Sequence, residues 1–119
     1  MRDHTKLRVF ALSDELVVEV YRRTERFPSA ERYGLQSQVR RASVSVPTNI
    51  VEGCTRASTR DFAHFVTIAL GSASEVRYLL SLAARLEILP AEDASYLEPR
   101  CEELVKALSG LVSKLRAES

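Results

Sequence analysis

This sequence of 119 residues predicts an all-α fold, an antiparallel up-down-up-down four-helix bundle. Three observations predict it. Four long segments repeat apolar residues at spacings of three and four. Short breaks at proline or glycine separate them, which makes neighbouring helices antiparallel. Glycine and proline number only four each, so little of the chain is left for irregular structure. One domain over residues 1–119 is long enough for a core without disulfide or metal staples.

The first helix is expected over about residues 6–26, with Val9, Leu12, Leu16 and Val20 on one stripe and Glu15, Glu19, Arg22, Arg23 and Glu25 mostly opposite. Phe27–Pro28 ends it, because the residue before proline disfavours helical backbone. A connector follows to Gly34. The second helix, 35–54, carries Leu35, Val39, Ala42, Val46 and Ile50 inward, and Gly53 suits a C-terminal position. Ser58 with Asp61 three residues later signals the start of a third helix over 59–88. Phe62, Phe65, Ala69, Ser72, Val76, Leu79, Ala83 and Leu86 follow a heptad there, flanked by the stripes Val66, Ala73, Leu80 and Ile68, Leu82, Leu89. So wide an apolar arc calls for neighbours on more than one side, which predicts oligomerisation. Pro90 is placed as the first residue of a fourth helix over 91–116. Leu97, Cys101, Leu104, Leu108, Leu111 and Leu115 form its seam, with acidic residues at its start and basic ones at its end, matching the helix dipole.

The net charge of +1 hides two unlike halves: residues 1–60 carry eleven Lys/Arg against seven Asp/Glu, and residues 61–119 six against nine. Fourteen of the seventeen basic residues are arginine, the side chain suited to planar, bidentate contacts with phosphate and carboxylate. Codon usage explains the bias as a count, so the contact reading is kept for particular positions. Cys54 and Cys101 lie far apart without metal or redox spacing. There is no N-terminal apolar targeting segment and no uninterrupted apolar run near the length of a membrane span, so a cytoplasmic location and no membrane partner are expected.

Candidate chemistry concentrates in Arg40 to Gly53. Pro47 falls inside a helical pattern and cannot donate to the carbonyl of Ser43. Ser43, Ser45 and Thr48 offer hydroxyls around that break, and Asn49 needs a partner beside the buried stripe. The structural reading is a kinked helix with a polar clamp from Asn49 to backbone or to Glu52. The functional reading is a surface notch bearing Arg40, Arg41 and Glu52. Proline kinks have ordinary packing causes, which favours the first. Arg56 and Arg60 stand at the start of the third helix, where arginines can join amide groups in holding phosphate. Arg40, Arg41, Arg56 and Arg60 are therefore the candidate nucleic-acid contacts, against the ordinary reading of a solvated charged face. Asp61 and His64 resemble half of a bundle di-metal site, but no second pair exists, so neither a metal nor another cofactor is expected. No nucleophile has a base beside it, and no enzymatic activity is expected.

The run Phe27-Pro28, Glu31 to Leu35, Gln38, Arg40-Arg41-Ala42, Ser45-Val46-Pro47, Asn49-Ile50, Glu52-Gly53, then Asp61-Phe62, Phe65, Ile68-Ala69, Gly71-Ser72 and Glu75, resembles the four-helix bundle family of 23S rRNA-intervening-sequence proteins. The likeness covers about residues 6–115, and its Ser-x-Pro-x-Asn-Ile-x-Glu-Gly run is specific to that family. Val51 stands where the family often has Ala, and Arg77 where an acidic or polar residue is common. The resemblance implies a bundle assembling as a ring, a homopentamer in related proteins, without established enzymatic activity. The family is similar to the accessory protein of diversity-generating retroelements, a barrel-shaped pentamer that binds reverse transcriptase and nucleic acid. Arg40, Arg41, Asn49 and Glu52 match the motif, while Ser45, Pro47 and Gly53 complete it as structural or inter-subunit positions. The expected function is thus a non-enzymatic oligomer binding RNA, DNA or a nucleic-acid enzyme through arginines. The alternative is a protein-interaction scaffold without a nucleic-acid role.

Overall fold

The computed structural model describes residues 1–119. Four helices, α1 (Arg8–Thr24), α2 (Leu35–Cys54), α3 (Thr59–Arg85) and α4 (Ala91–Glu118), form a bundle measuring 44 × 22 × 19 Å. α1 packs on α2 and α4, and α3 packs on the same two, so α1 and α3 are diagonal. Twenty-five buried apolar residues make one continuous core along the axis. Truncating one of its fully buried leucines, such as Leu97 or Leu104, to alanine is expected to cost about 2–5 kcal/mol.

The expected elements are all present, and their ends differ for local reasons. α1 begins at Arg8 because a 3₁₀ turn over His4–Lys6 precedes it, capped by Asp3 accepting from the Thr5 amide at 3.0 Å. The N-terminal segment is docked on the bundle: the Arg2 amide donates to the Cys54 carbonyl at 2.9 Å, and His4 meets Phe10 edge-on. A second 3₁₀ turn, Ser29–Glu31, forms the connector to α2.

α3 stops at Arg85, three residues earlier than expected. The Ile88 amide reaches the Ala83 carbonyl and the Glu87 amide that of Ala84, the paired bonds of a Schellman stop. Glu87 takes the left-handed position with φ 60°. The turn leaves Leu86 exposed and returns Leu89 to the core, so the outer expected stripe splits, with Ile68 also outside. Phe62, Val66, Ala69, Ala73, Val76, Leu79, Leu80 and Ala83 are buried within the chain, whereas Phe65 and Leu82 of the expected arc are only half-buried. By length and composition α3 is also apolar enough to cross a membrane, a property it shares with core helices of globular bundles.

Pro90 is the N-cap of α4, with extended ψ of 146°, and Ala91 is the first helical residue. α4 also carries an internal Pro99 on its exposed face, beside the exposed Ser95 whose carbonyl loses its helical donor.

Candidate nucleic-acid interface

The motif helix α2 is built from the inside outward. Val39, Ala42, Val46 and Ile50 are buried at spacings of three and four. That leaves Arg41, Ser45, Asn49 and Glu52 along the adjoining outer stripe beside α3. Around Pro47 the polar side chains bond to backbone: Ser43 donates to the Arg40 carbonyl at 2.8 Å and Thr48 to that of Val44 at 2.7 Å. Asn49 Nδ2 donates to the Ser45 carbonyl at 2.8 Å and to Ser45 Oγ at 3.0 Å. Ser45 Oγ in turn meets Ser72 Oγ of α3 at 2.8 Å. The polar clamp thus closes on backbone rather than on Glu52, whose carboxylate accepts from Arg56 Nη2 at 2.6 Å.

Gly53 is not a left-handed helix cap, since no glycine has positive φ and the helix runs on through Cys54. Its small size is required by packing. A Cβ there would lie 2.8 Å from Phe65 Cβ and 3.1 Å from Phe62 Cδ1, so α2 and α3 approach closely at this point.

The four candidate arginines divide. Arg40 is drawn into the junction with α1: Nε donates to Thr24 Oγ1 at 3.0 Å, Nη2 to the Tyr21 carbonyl at 3.0 Å, and the guanidinium lies over the Tyr21 ring. Arg41, its neighbour, is exposed on the α3 side and takes part in no ion pair. It borders an open groove of about 540 Å³ between α2 and α3, whose wall also holds Tyr33, Gln38, Ser72 and Glu75. Arg56 is held by Glu52 and lies over the Phe65 ring at 4.7 Å. Arg60, in the first turn of α3, is exposed and unpaired. Arg41 lies roughly 20 Å from the C-terminal end of α2 at 1.5 Å per residue, and Arg56 stands just beyond that end, so the set forms two sites rather than one patch.

The sequence reading missed three neighbours. Arg2 joins Arg56 and Arg60 at the α2–α3 corner, donating to Thr59 Oγ1 at 3.1 Å and stacking on Phe62 at 4.2 Å. Its terminal position gave no signal. Glu75 and Tyr33 border the groove with Arg41; the family-like runs contain both, but only the fold shows that they share a surface.

The remaining reactive groups are placed in quiet surroundings. Burial pushes the Cys101 thiol up to about 12 and raises that of Cys54 as well, which leaves neither a ready nucleophile. Asp61 and His64 lie on the exposed face of α3, where the Asp61 amide takes the Ser58 cap and His64 packs edge-on to Phe65.

Comparison with known proteins places this geometry. A family model described as 23S rRNA-intervening sequence protein matches residues 5–110. Among solved structures, a protein of unknown function from the S23 ribosomal protein family of Bacteroides thetaiotaomicron superposes with a TM-score of 0.80 at 26% identity. That match covers 87% of this chain and 97% of the other. No curated protein matches the chain.

Proposed function

The chain belongs to the family of 23S rRNA-intervening sequence proteins, and we propose that it is a non-enzymatic, cytoplasmic homo-oligomer that binds RNA through arginines of its α2–α3 face. The observation that carries this reading is the freedom of Arg41 and Arg60. Both are exposed, and none of the nine ion pairs in the chain includes either one. An arginine without an internal carboxylate keeps its donors for phosphate, and each such contact releases counterions. Arg2 and Arg56 reinforce Arg60 at its corner. Assembly of copies into a ring, as the resemblance implies, would repeat both sites around one surface and turn a modest charge into a continuous band.

The test is binding of structured RNA and of single-stranded DNA at two salt concentrations. Wild-type affinity is expected to fall with salt, and replacing Arg41 and Arg60 by alanine to reduce the slope by about one per lost phosphate contact. Negligible binding at low salt, or a slope indifferent to both substitutions, sinks the proposal. Light scattering addresses assembly: a particle at the 13.3 kDa of one chain at micromolar concentration counts against the oligomer.

A specific observation favours a second reading, a protein-interaction scaffold. Arg40, Arg56 and Glu52 are engaged within the chain, as residues that stiffen a docking face would be. In that reading, Arg41→Ala or Glu52→Ala breaks the oligomer and leaves RNA binding unchanged.

A further inference from the structure

The groove between the N-terminal half of α2 and the middle of α3 holds three side chains that the bundle itself does not use. Tyr33 is 90% exposed, although a large ring is ordinarily folded onto neighbours. Arg41 and Glu75 border the same groove with opposite charge, yet they form no ion pair with each other or with any other residue. Between them the lining is polar, with Ser37, Gln38 and Ser45.

Tyr33 is also held on a defined turn. Glu31 Oε1 accepts from the Leu35 amide at 3.0 Å, and the Gly34 amide donates to the Glu31 carbonyl at 3.0 Å. A Cβ at 34 would stand 2.7 Å from that Glu31 oxygen, so a larger residue there would push the Glu31 carboxylate off the Leu35 amide. The ring is therefore presented beside the groove from a pinned backbone.

An aromatic face, a free guanidinium and a free carboxylate around a volume of about 540 Å³ match the parts of one nucleotide. The ring offers a stacking surface for a base. Arg41 offers a bidentate contact to phosphate. Glu75 would repel phosphate, so in a nucleic-acid site it suits hydrogen-bond donors, which the base edges and the ribose hydroxyl supply. Of the bases, guanine presents two parallel donors, N1–H and the N2 amine, to one carboxylate, and in a duplex both are occupied by pairing. We propose that this groove holds an unpaired guanine of single-stranded or looped RNA, with the base on Tyr33, its Watson–Crick edge on Glu75 and a phosphate on Arg41. The assignment rests on the RNA-binding reading of the α2–α3 face and specifies what is bound there.

The experiment is fluorescence anisotropy with a labelled uridine tract carrying one central guanine. It is compared with the same tract carrying inosine or adenine, with a fully paired duplex, and with guanosine monophosphate alone. The guanine tract is expected to bind about tenfold or more tighter than the adenine tract, with inosine between them. Tyr33→Ala is expected to lose about 5- to 100-fold, with Tyr33→Phe restoring the affinity. Glu75→Ala is expected to erase the guanine preference while the tract still binds. Both positions are solvent-facing, and circular dichroism identical to wild type confirms that the variants fold. RNA binding indifferent to Tyr33 and Glu75 overturns the groove assignment and leaves the RNA reading standing. Guanosine monophosphate binding as tightly as the tract overturns the strand assignment in favour of a free nucleotide. No binding of any RNA at low salt removes the RNA reading, and the groove assignment with it.

Discussion

The hydroxyls of Ser45 and Ser72 lie 2.8 Å apart across the α2–α3 contact, and Asn49 donates to the same Ser45 oxygen. This three-residue chain is the one place where α2, weakened at Pro47, is tied sideways to α3 by polar groups near the break. Ser72→Ala is expected to cost about 0.5–1.5 kcal/mol in urea unfolding. Ser45→Ala on top of it is expected to cost much less than its effect alone, because the shared bond is already gone. Full additivity would show that the hydroxyl contact carries no coupling.

Gly53 and Gly71 make a matched pair for a second test. A methyl at Gly53 meets Phe65 Cβ at 2.8 Å, an atom fixed to backbone, so Gly53→Ala is expected to destabilise by about 1–3 kcal/mol. At Gly71 nothing lies within 4 Å, and Gly71→Ala is expected to stabilise by about 0.5–1 kcal/mol through helix propensity. Opposite shifts in thermal midpoint check both. A loss of assembly in Gly71→Ala, with the fold intact, would instead mark the outer face of α3 as a subunit contact.

Glu87 holds a left-handed conformation that glycine adopts without steric penalty. Glu87→Gly is expected to stabilise by up to about 1 kcal/mol. A destabilising result would show that the Schellman stop depends on the Glu87 side chain.

Arg23 fastens α1 to α4 in two ways, to Asp93 Oδ1 at 2.7 Å and over the Tyr96 ring at 3.5 Å, and it is steadied within α1 by Glu19 Oε1 at 3.0 Å. Its hydrogen bond holds the Glu19 carboxyl below its ordinary value of 4.5. A carboxyl whose folded pKa is depressed stabilises the fold fully above the unfolded value, and that stability is lost as pH falls below about 4.5 towards the folded value. Urea midpoints between pH 7 and pH 3 are expected to drop less steeply in Arg23→Met, which lacks the cation. Equal slopes would mean the carboxylates draw their stabilisation elsewhere.

The four helices were legible because their cause is local or periodic. Stripes of three- and four-residue spacing, the Ser58 cap and the Phe27–Pro28 stop need no knowledge of distant residues. The ends misjudged were those where a distant or non-periodic feature intervened. Examples are the Asp3-capped turn before α1 and the Schellman stop that halted α3 at Arg85 although the apolar pattern ran on to Leu89. The motif's polar clamp was legible as a need of Asn49, met by the Ser45 carbonyl one turn back, but the onward contact of Ser45 was not, since Ser72 lies 27 residues away.

What the sequence by itself determined was the helical architecture, through hydrophobic periodicity, and the family, through the Ser45-to-Gly53 motif. Only the tertiary structure decided which arginines are free. Arg40 and Arg41 are adjacent and chemically identical, yet one is turned into Thr24 and Tyr21 of α1 and the other faces an open groove beside Glu75. A helix rotates successive residues by about 100°, so neighbours in the chain meet different elements, and which elements stand there is set by packing.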